Sequence, residues 1–349
     1  MKEIKKRWPR ITYLLSGWSG AGYFPNQIRY IGKDNVKIGK LREQYFANNF
    51  FRFTYELSPQ VAVPFVPGFV LLKKNNRWIN HVKFPRAKVN EYYNKYYPPA
   101  GKTKFIVAYP GDSIENGNLN AAAVWHHIEE KEHYDYAYVH YKKEIENADT
   151  IDYANHDEID ELTRLLNLWM NRNQILYHKD VLRDSIFSIK AEDTHEEVFM
   201  NISYDGEKFE VTKSATALPE RRLLISAPVK QLLHALKREW GGDVLTIGYG
   251  LTVEIYDERS LEKNLDIVCV RLITRYPIAR KDILKNPLRA INFYAFNPTL
   301  TSLWIKQKIM LKPYVNKYPF NERDHWLTYS QCDLCAVCKM PVINAEDYR

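Results

Sequence analysis

The chain has 349 residues, and its 50 Lys and Arg against 42 Asp and Glu give a formal net charge of +8. With 45% hydrophobic and 14% aromatic residues it has the composition of a folded protein, which excludes the disordered and fibrous classes. The length is sufficient for two domains, and four cysteines are too few for a disulfide scaffold.

The most apolar stretch, residues 61–72, is shorter than the roughly 20 residues that a bilayer span needs. The amino-terminal segment has no small-residue cleavage site, so we expect a cytoplasmic protein that is not attached to a membrane. The basic residues form only short blocks such as Lys5, Lys6 and Arg7. The charge therefore permits a nucleic-acid partner without requiring one.

Residues 1–100 favour a β-rich amino-terminal domain, because short apolar and aromatic runs are separated by Gly, Pro and Asn. We expect strands at residues 11–15, 51–55 and 69–72, and a linker over residues 90–104. The glycine-rich stretch at residues 16–22 matches neither the P-loop nor the dinucleotide fingerprint. A β-hairpin bend is favoured there over a phosphate-binding loop.

Residues 101–349 alternate between strand and helix patterns, which favours an α/β domain with a parallel sheet and crossover connections. The expected elements are a strand at 104–109, a helix at 118–133, a strand at 136–141, a helix at 156–173, a hairpin at 197–211, a helix at 219–240 and a strand at 244–248.

The loop after the strand at residue 105 is the first candidate binding site. Ligands of doubly wound sheets bind beyond the carboxyl ends of strands, and the loop residues at that place are Pro110, Gly111, Asp112 and Ser113. An ordinary Pro-Gly turn is the alternative. Arg221 is the second candidate, because an arginine just ahead of a predicted helix can bind a phosphate or carboxylate; a solvated arginine is the alternative.

A cysteine cluster is the candidate metal site. Cys332, Cys335 and Cys338 lie at i, i+3 and i+6, a spacing that lets three thiolates converge on one zinc ion or on an iron–sulfur cluster. Zinc needs a fourth ligand, for which His325 and Cys269 are candidates. The adjacent pair of His126 and His127 could imitate a metal pair, but neighbouring residues do not share a helix face, so a packing or solvated role is favoured.

In their order along the chain, these segments resemble the PP-loop ATP pyrophosphatases, and specifically the 7-cyano-7-deazaguanine synthases (the QueC family). The similarity covers residues 104–345 and ends in the cysteine cluster. Within it, Pro219-Glu-Arg221-Arg222 resembles the family's Pro-Gly-Arg-Asn helix entry. The family loop reads Ser-Gly-Gly-x-Asp-Ser, whereas residues 108–113 read Ala-Tyr-Pro-Gly-Asp-Ser and keep only its Asp-Ser end. The family's first zinc cysteine falls near Tyr329.

The resemblance implies an α/β fold of the adenine-nucleotide α-hydrolase-like (HUP/PP-loop) type at residues 101–349, behind the smaller β-rich domain. The implied activity uses ATP and Mg²⁺ to adenylate a carboxylate, which an amine attacks as AMP leaves. Arg221 would face the phosphates, and Tyr256, Asp257 and Arg259 would shape the pocket of a deazapurine-like substrate. The zinc would be structural.

Longer relatives of this kind act in antiphage defence and other modification systems, which implies a protein partner. Two further functions stay open. The missing glycines favour a catalytically inactive binding subunit of such a complex, and the net charge with the many tyrosines favours a nucleic-acid-binding protein.

Overall fold

The computed structural model describes residues 2–18, 27–65, 70–97, 103–148, 150–174, 179–238, 241–246, 250–256, 265–273, 334–335 and 340–341. The chain forms two compact units. Unit 1 comprises residues 1–26, 33–151 and 325–349, and unit 2 comprises residues 27–32 and 152–324. Among the described residues, no helix is both long enough and apolar enough to span a bilayer.

Unit 1 is built on a parallel sheet of three strands in the order β1-β3-β4. Its strands and helices are α1 (Lys2–Arg7), β1 (Tyr13–Ser16), α2 (Asn35–Leu57), β3 (Val61–Pro64), α3 (Val89–Tyr96), β4 (Lys104–Phe105), β5 (Ser113–Glu115), β6 (Asn118–Asn120), α4 (Glu130–His140), α5 (Lys142–Ala148), β12 (Leu334–Cys335) and β13 (Met340–Pro341). Three 3-10 helices cover Lys74–Val82, Arg86–Lys88 and Val124–His127.

The two faces of this sheet are covered differently. Ala62 of β3 lies in an aromatic core with residues of α2 and α3. Val61 and Val63 of the same strand form a second apolar cluster with Ile106, against which the β5–β6 hairpin packs. In the aromatic core, Phe51 stacks on Tyr92 at 5.3 Å between ring centroids. Such ring pairs contribute about 0.5–1.5 kcal/mol beyond their buried area.

Unit 2 contains a mixed sheet of six strands in the order β2-β11-β10-β7-β8-β9. Its elements are β2 (Ile28–Tyr30), α6 (His156–Asn173), α7 (Lys179–Arg183), β7 (Phe187–Ala191), β8 (Phe199–Tyr204), β9 (Phe209–Ser214), β10 (Leu223–Ala227), α8 (Val229–Leu236), α9 (Gly241–Thr246), β11 (Thr252–Ile255) and α10 (Leu265–Ile273). The pairs β2/β11 and β7/β10 are parallel, and the other neighbours are antiparallel. Helix α6 contacts α8, α10 and β9.

The mixed α/β class predicted from the sequence is confirmed, but the purely parallel sheet predicted for the carboxyl-terminal part is wrong. The helix at 156–173 and the hairpin near 197–211 are confirmed as α6 and as β8 with β9, and the strand predicted at 11–15 corresponds to β1. The hairpin belongs to the six-stranded sheet, with β8 paired to β7.

Several predicted elements are wrong. The strand predicted at 51–55 lies in α2, the strand at 136–141 lies mainly in α4, and the helix at 219–240 is β10 followed by α8. The helix predicted at 118–133 contains β6 and a 3-10 helix before α4 begins, and α9 occupies the start of the strand predicted at 244–248. The described part of residues 1–100 contains more helix than strand, so its predicted β-rich character is also wrong.

The β-hairpin bend predicted for the glycine-rich stretch at residues 16–22 falls mostly on residues that the structure does not describe, and it stays a prediction. Strand β1 pairs in parallel with β3, whereas the next strand, β2, belongs to the sheet of unit 2. Trp18 follows the end of β1 and is buried in the aromatic core, where its ring meets the ring of Phe84 edge-on at 5.9 Å. The last glycines of the stretch lie outside the described residues.

Candidate functional site

Residues 109–112 form a tight turn beyond the end of β4. The backbone N–H of Asp112 donates to the carbonyl of Tyr109 at 3.0 Å, and Gly111 has a φ of 103°. Glycine adopts this positive φ at no steric cost, and proline favours the position before it. The geometry is therefore that of the Pro-Gly turn which was the alternative prediction for this loop. Ser113 follows as the exposed first residue of β5.

The turn uses its own backbone donors. The N–H of Tyr109 donates to Oδ2 of Asp112 at 2.7 Å, and the N–H of Asp112 is bound within the turn. Pro110 has no N–H to offer. A phosphate-binding loop needs several convergent free N–H groups. In this loop the donors of both Tyr109 and Asp112 are already bound.

The Asp112 side chain is a fully buried hydrogen-bond acceptor. Oδ1 accepts from the backbone N–H groups of Ala122 and Ala123, at 3.0 and 2.9 Å. Oδ2 accepts from Tyr109 and lies 2.6 Å from Nε2 of His126. One carboxylate thus joins the turn after β4 to the segment after β6 and to the 3-10 helix that contains His126.

These contacts keep the Asp112 carboxyl ionised. Burial raises its pKa, but the hydrogen bonds from the backbone of Tyr109 and Ala123, together with the hydrogen bond and charge of His126, outweigh burial and lower the pKa to about 2. Several N–H donors directed at one carboxylate favour its charged form in this way.

His126 is the partly accessible member of the pair. Its side chain is 19% exposed, and its ring meets the ring of Tyr109 edge-on at 4.8 Å. The neighbouring His127 is exposed. Among the described residues, no group of three His, Cys, Asp or Glu side chains is arranged to hold a metal ion.

Further rings and one cation surround this pair. Tyr109 also meets the ring of His133 edge-on at 5.5 Å, and the guanidinium of Arg86 lies over the Tyr109 ring at 5.5 Å. The ring of Trp125 meets that of His133 at 5.2 Å, and Nε2 of His133 is 3.2 Å from the Trp125 carbonyl oxygen. The side chains of Tyr109, Trp125 and His133 are all partly exposed.

The β5–β6 hairpin shows where the pair lies relative to the parallel sheet. At the hairpin tip, the N–H of Gly117 donates to the hydroxyl of Tyr13, and Nζ of Lys104 donates to the Gly117 carbonyl. Tyr13 and Lys104 are the first residues of β1 and β4. Since the tip lies at the amino ends of the strands, the open end of the hairpin, which Asp112 directly precedes, lies toward their carboxyl ends.

Arg221 lies in unit 2 and does not precede a helix as predicted, because the strand β10 begins at Leu223. Nη1 of Arg221 donates to the carbonyl of Leu218 at 2.9 Å, and its guanidinium lies 4.7 Å from the ring centre of Tyr256.

Tyr256 has a second polar contact, because its hydroxyl donates to Glu254 at 2.6 Å. Burial and then this hydrogen bond raise the pKa of Tyr256. The structure thus brings Arg221 and Tyr256 together, while Asp257 and Arg259 lie outside the described residues.

At the carboxyl ends of β7 and β10, the start of helix α8 is already bound by a side chain. Asp193 is buried and accepts from the backbone N–H groups of Val229 and Lys230 at the start of α8, at 2.6 and 3.2 Å. These are the donors that a helix would offer to an anionic ligand. In unit 2, the chain's own carboxylate occupies that position.

The predicted metal ligands are mostly beyond what the structure describes. His325, Cys332 and Cys338 lie outside the described residues, and of Cys335 only the backbone is described, at the end of β12. Cys335 is opposite Met340 in the antiparallel pair of β12 and β13. Cys269 is fully buried in α10.

The sequence singled out the loop that contains Asp112 but missed its partner. His126 lies 14 positions after Asp112, with the β5–β6 hairpin between them, and no spacing rule connects the two residues.

Comparison of the chain with models of protein families, with curated proteins and with solved structures finds no match.

Proposed function

We propose that this protein binds a nucleotide or a deazapurine-like small molecule at the carboxyl ends of β1, β3 and β4, next to His126. The observation that carries the proposal is the position of the Asp112–His126 pair at this edge of a parallel sheet with helical connections. Open sheets of this kind bind ligands beyond the carboxyl ends of their strands. The choice of ligand class rests on this analogy of fold and on the resemblance of the sequence.

The side chains around His126 fit the base of such a ligand better than its phosphates. The partly exposed rings of Tyr109 and Trp125 can stack on a planar heterocycle, and stacking of a base on an aromatic side chain contributes about 1–3 kcal/mol. The negative charge of the ionised Asp112 would repel a phosphate at this turn, where the N–H groups of Tyr109 and Asp112 are already bound. We therefore place the base, and not the phosphates, next to the turn.

A titration with ATP, AMP and a deazapurine carboxylic acid, each with and without Mg²⁺, tests the proposal by calorimetry. We expect saturable binding, weakened about tenfold or more by Tyr109→Leu, since that variant removes one stacking ring. Tyr153→Leu is the matched control, because Tyr153 is an exposed tyrosine of unit 2 that stacks on His195. Absence of heat with all three ligands, or equal weakening by both variants, would contradict the proposal.

The finer proposal is the QueC-like reaction, in which ATP and Mg²⁺ activate a carboxylate and AMP and pyrophosphate are released. The Asp-Ser end that residues 112–113 share with the family loop supports it. Release of pyrophosphate from ATP in the presence of the deazapurine acid is the measurement that decides this reaction.

A catalytically inactive binding subunit of a defence or modification complex is the second candidate. The N–H groups of Tyr109 and Asp112 are already bound within the turn, which favours this candidate, since cleavage of ATP requires donors that stabilise the phosphates. Binding of the ligands without any release of pyrophosphate is the result expected for this candidate. Saturable binding of single-stranded DNA or RNA that weakens with salt would instead favour the nucleic-acid-binding alternative.

We also propose a structural zinc ion at Cys332, Cys335 and Cys338. Cysteine thiolates are preferred zinc ligands, and the antiparallel pairing of Cys335 with Met340 lies within the segment that carries them. His325 remains the proposed fourth ligand. Elemental analysis is expected to find one zinc per chain, and protein that contains none, or that contains iron, would refute this site.

A further inference from the structure

The Asp112–His126 pair has one defined arrangement of protons. The two oxygens of Asp112 accept from three backbone N–H groups, and Oδ2 also lies 2.6 Å from Nε2 of His126. An ionised carboxylate can only accept hydrogen bonds. The hydrogen in the 2.6 Å contact therefore belongs to Nε2 of His126.

A neutral imidazole carries one proton. Because that proton is on Nε2, the lone pair of His126 is on Nδ1, which is the atom able to take up another proton. The ring is 19% exposed while the carboxylate behind it is fully buried. The His126 side chain is therefore partly accessible from solvent, whereas the Asp112 carboxylate is not.

We propose that His126 is the general base of this site, that its Nδ1 removes a proton from an amine or water nucleophile, and that Asp112 positions the ring. As the nucleophile forms a bond to an electrophilic carbonyl carbon, its proton moves to Nδ1 and the carbonyl π electrons move to oxygen. The imidazolium then faces the Asp112 carboxylate, which offsets its charge. When the leaving group departs, the proton passes to it and the ring becomes neutral again.

This assignment requires Asp112 specifically, and not only a hydrogen-bonding side chain of its size. In Asp112→Asn, one oxygen becomes an NH₂ group, while four donors still face the side chain. The best arrangement keeps the amide oxygen on Ala122 and Ala123 and turns the NH₂ group toward His126. Nε2 must then accept, so the proton moves to Nδ1 and the base is lost. General bases typically contribute about 10²–10⁴-fold to a rate.

The proton positions can be measured in the full-length protein without a substrate. NMR spectra of protein with ¹⁵N-labelled histidine rings distinguish the two tautomers. We expect the Nε2–H tautomer for His126 in the wild type and the Nδ1–H tautomer in Asp112→Asn. Asp205→Asn is the matched control, because Asp205 also accepts two backbone N–H groups in a turn but does so in unit 2. It should leave the His126 signals unchanged.

Reactivity with diethyl pyrocarbonate provides the second readout. The reagent transfers its ethoxycarbonyl group to an unprotonated imidazole nitrogen, with release of ethanol and carbon dioxide. Peptide mass spectrometry should show modification of His126 in the wild type, slowed about tenfold or more in Asp112→Asn, with His127 unaffected by the substitution.

The wild-type spectrum alone can refute the proposal, even if Asp112→Asn does not fold. An Nδ1–H tautomer or a doubly protonated ring at neutral pH would overturn it. A folded Asp112→Asn protein with unchanged tautomer and reactivity would do the same. Because neither readout uses a nucleotide, failure of this inference is distinguishable from failure of the proposed ligand.

Discussion

At the scale of single residues, Asp112 connects three segments that are separate in the sequence. Its carboxylate bonds to the turn at Tyr109, to the backbone at Ala122 and Ala123, and to the ring of His126. A buried acceptor with several donors fixes those segments at defined distances. Its removal would leave the partly buried donors at Tyr109, Ala123 and His126 without this acceptor.

The lowered pKa of Asp112 predicts how this contribution depends on pH. The pKa is about 2 in the folded protein against 3.8 for an ordinary aspartate, so the unfolded chain binds the proton first as the pH falls. The contribution is therefore complete above about pH 4 and is lost as the pH falls toward 2. We expect the melting-temperature difference between wild type and Asp112→Asn to be largest near neutral pH and to shrink below about pH 4. A difference that stays constant down to pH 2 would contradict this assignment.

Residue-level prediction from the sequence succeeded where a local rule exists. Proline followed by glycine predicts a turn, and the turn at residues 109–112 has that geometry. The pairing of Asp112 with His126 depends on the β5–β6 hairpin folding back over the sheet, which places distant residues side by side. Sequence spacing has no information about such a contact.

At the scale of elements, helix α6 shows why one prediction was right. Asn155 and Glu158 form a capping box, in which each side chain accepts from the backbone N–H of the other residue at 2.9 Å. The buried face follows the helical period predicted from the sequence and comprises Ile159, Leu162, Leu165, Leu166, Trp169, Met170 and Asn173. The start signal and the periodicity agree, so the local sequence was sufficient.

The same helix supports a matched pair of substitutions. Leu166 is fully buried, whereas Leu168 on the same helix is 52% exposed. We expect Leu166→Ala to lower the free energy of unfolding by about 2–5 kcal/mol, because it removes buried contacts and leaves a cavity. Leu168→Ala should change it by less than about 0.5 kcal/mol. Chemical denaturation measures both, and equal effects would show that the buried face is assigned incorrectly.

Helix α2 shows why other predictions failed. Phe51, Phe53 and Tyr55 are residues with high strand propensity, and the sequence indicated a strand there. In the structure Ala47, Phe51 and Thr54 share a buried helical face against the aromatic core. Strand propensity describes how well a side chain fits a half-buried surface, and the packing of the whole unit overrides it. The helix α4, rich in tyrosine, was mistaken for a strand on the same grounds.

At the scale of the whole molecule, strand β2 links the beginning of the chain to the end of the sheet in unit 2. Val253 of β11 donates its N–H to the carbonyl of Gln27 at 2.7 Å, and Ile31 donates to the carbonyl of Ile255 at 3.0 Å. Among the described strands, β2 forms one edge of the six-stranded order, beside β11. The sequence did not indicate this placement, because nothing local distinguishes a strand that pairs nearby from one that pairs with the far end of the chain.

This placement predicts a coupling over a long sequence distance. Ile28 is fully buried, whereas Ile31 is 46% exposed. We expect Ile28→Ala to speed up hydrogen exchange of the Val253 amide, since loosening β2 opens its hydrogen bond to Gln27. Ile31→Ala should have little effect. If the Val253 amide exchanges equally in both variants, β2 does not support β11 in solution.

The pairing of β2 with β11 also sets an order of events during synthesis on the ribosome. Arg29 leaves the ribosome long before Glu254, its register partner, has been made. At about 5–20 residues per second, the delay is on the order of ten seconds or more. During that interval β2 lacks the strand with which it pairs. The sheet of unit 2 therefore cannot be completed before β11 has left the ribosome. Until then, β2 remains unpaired in the nascent chain.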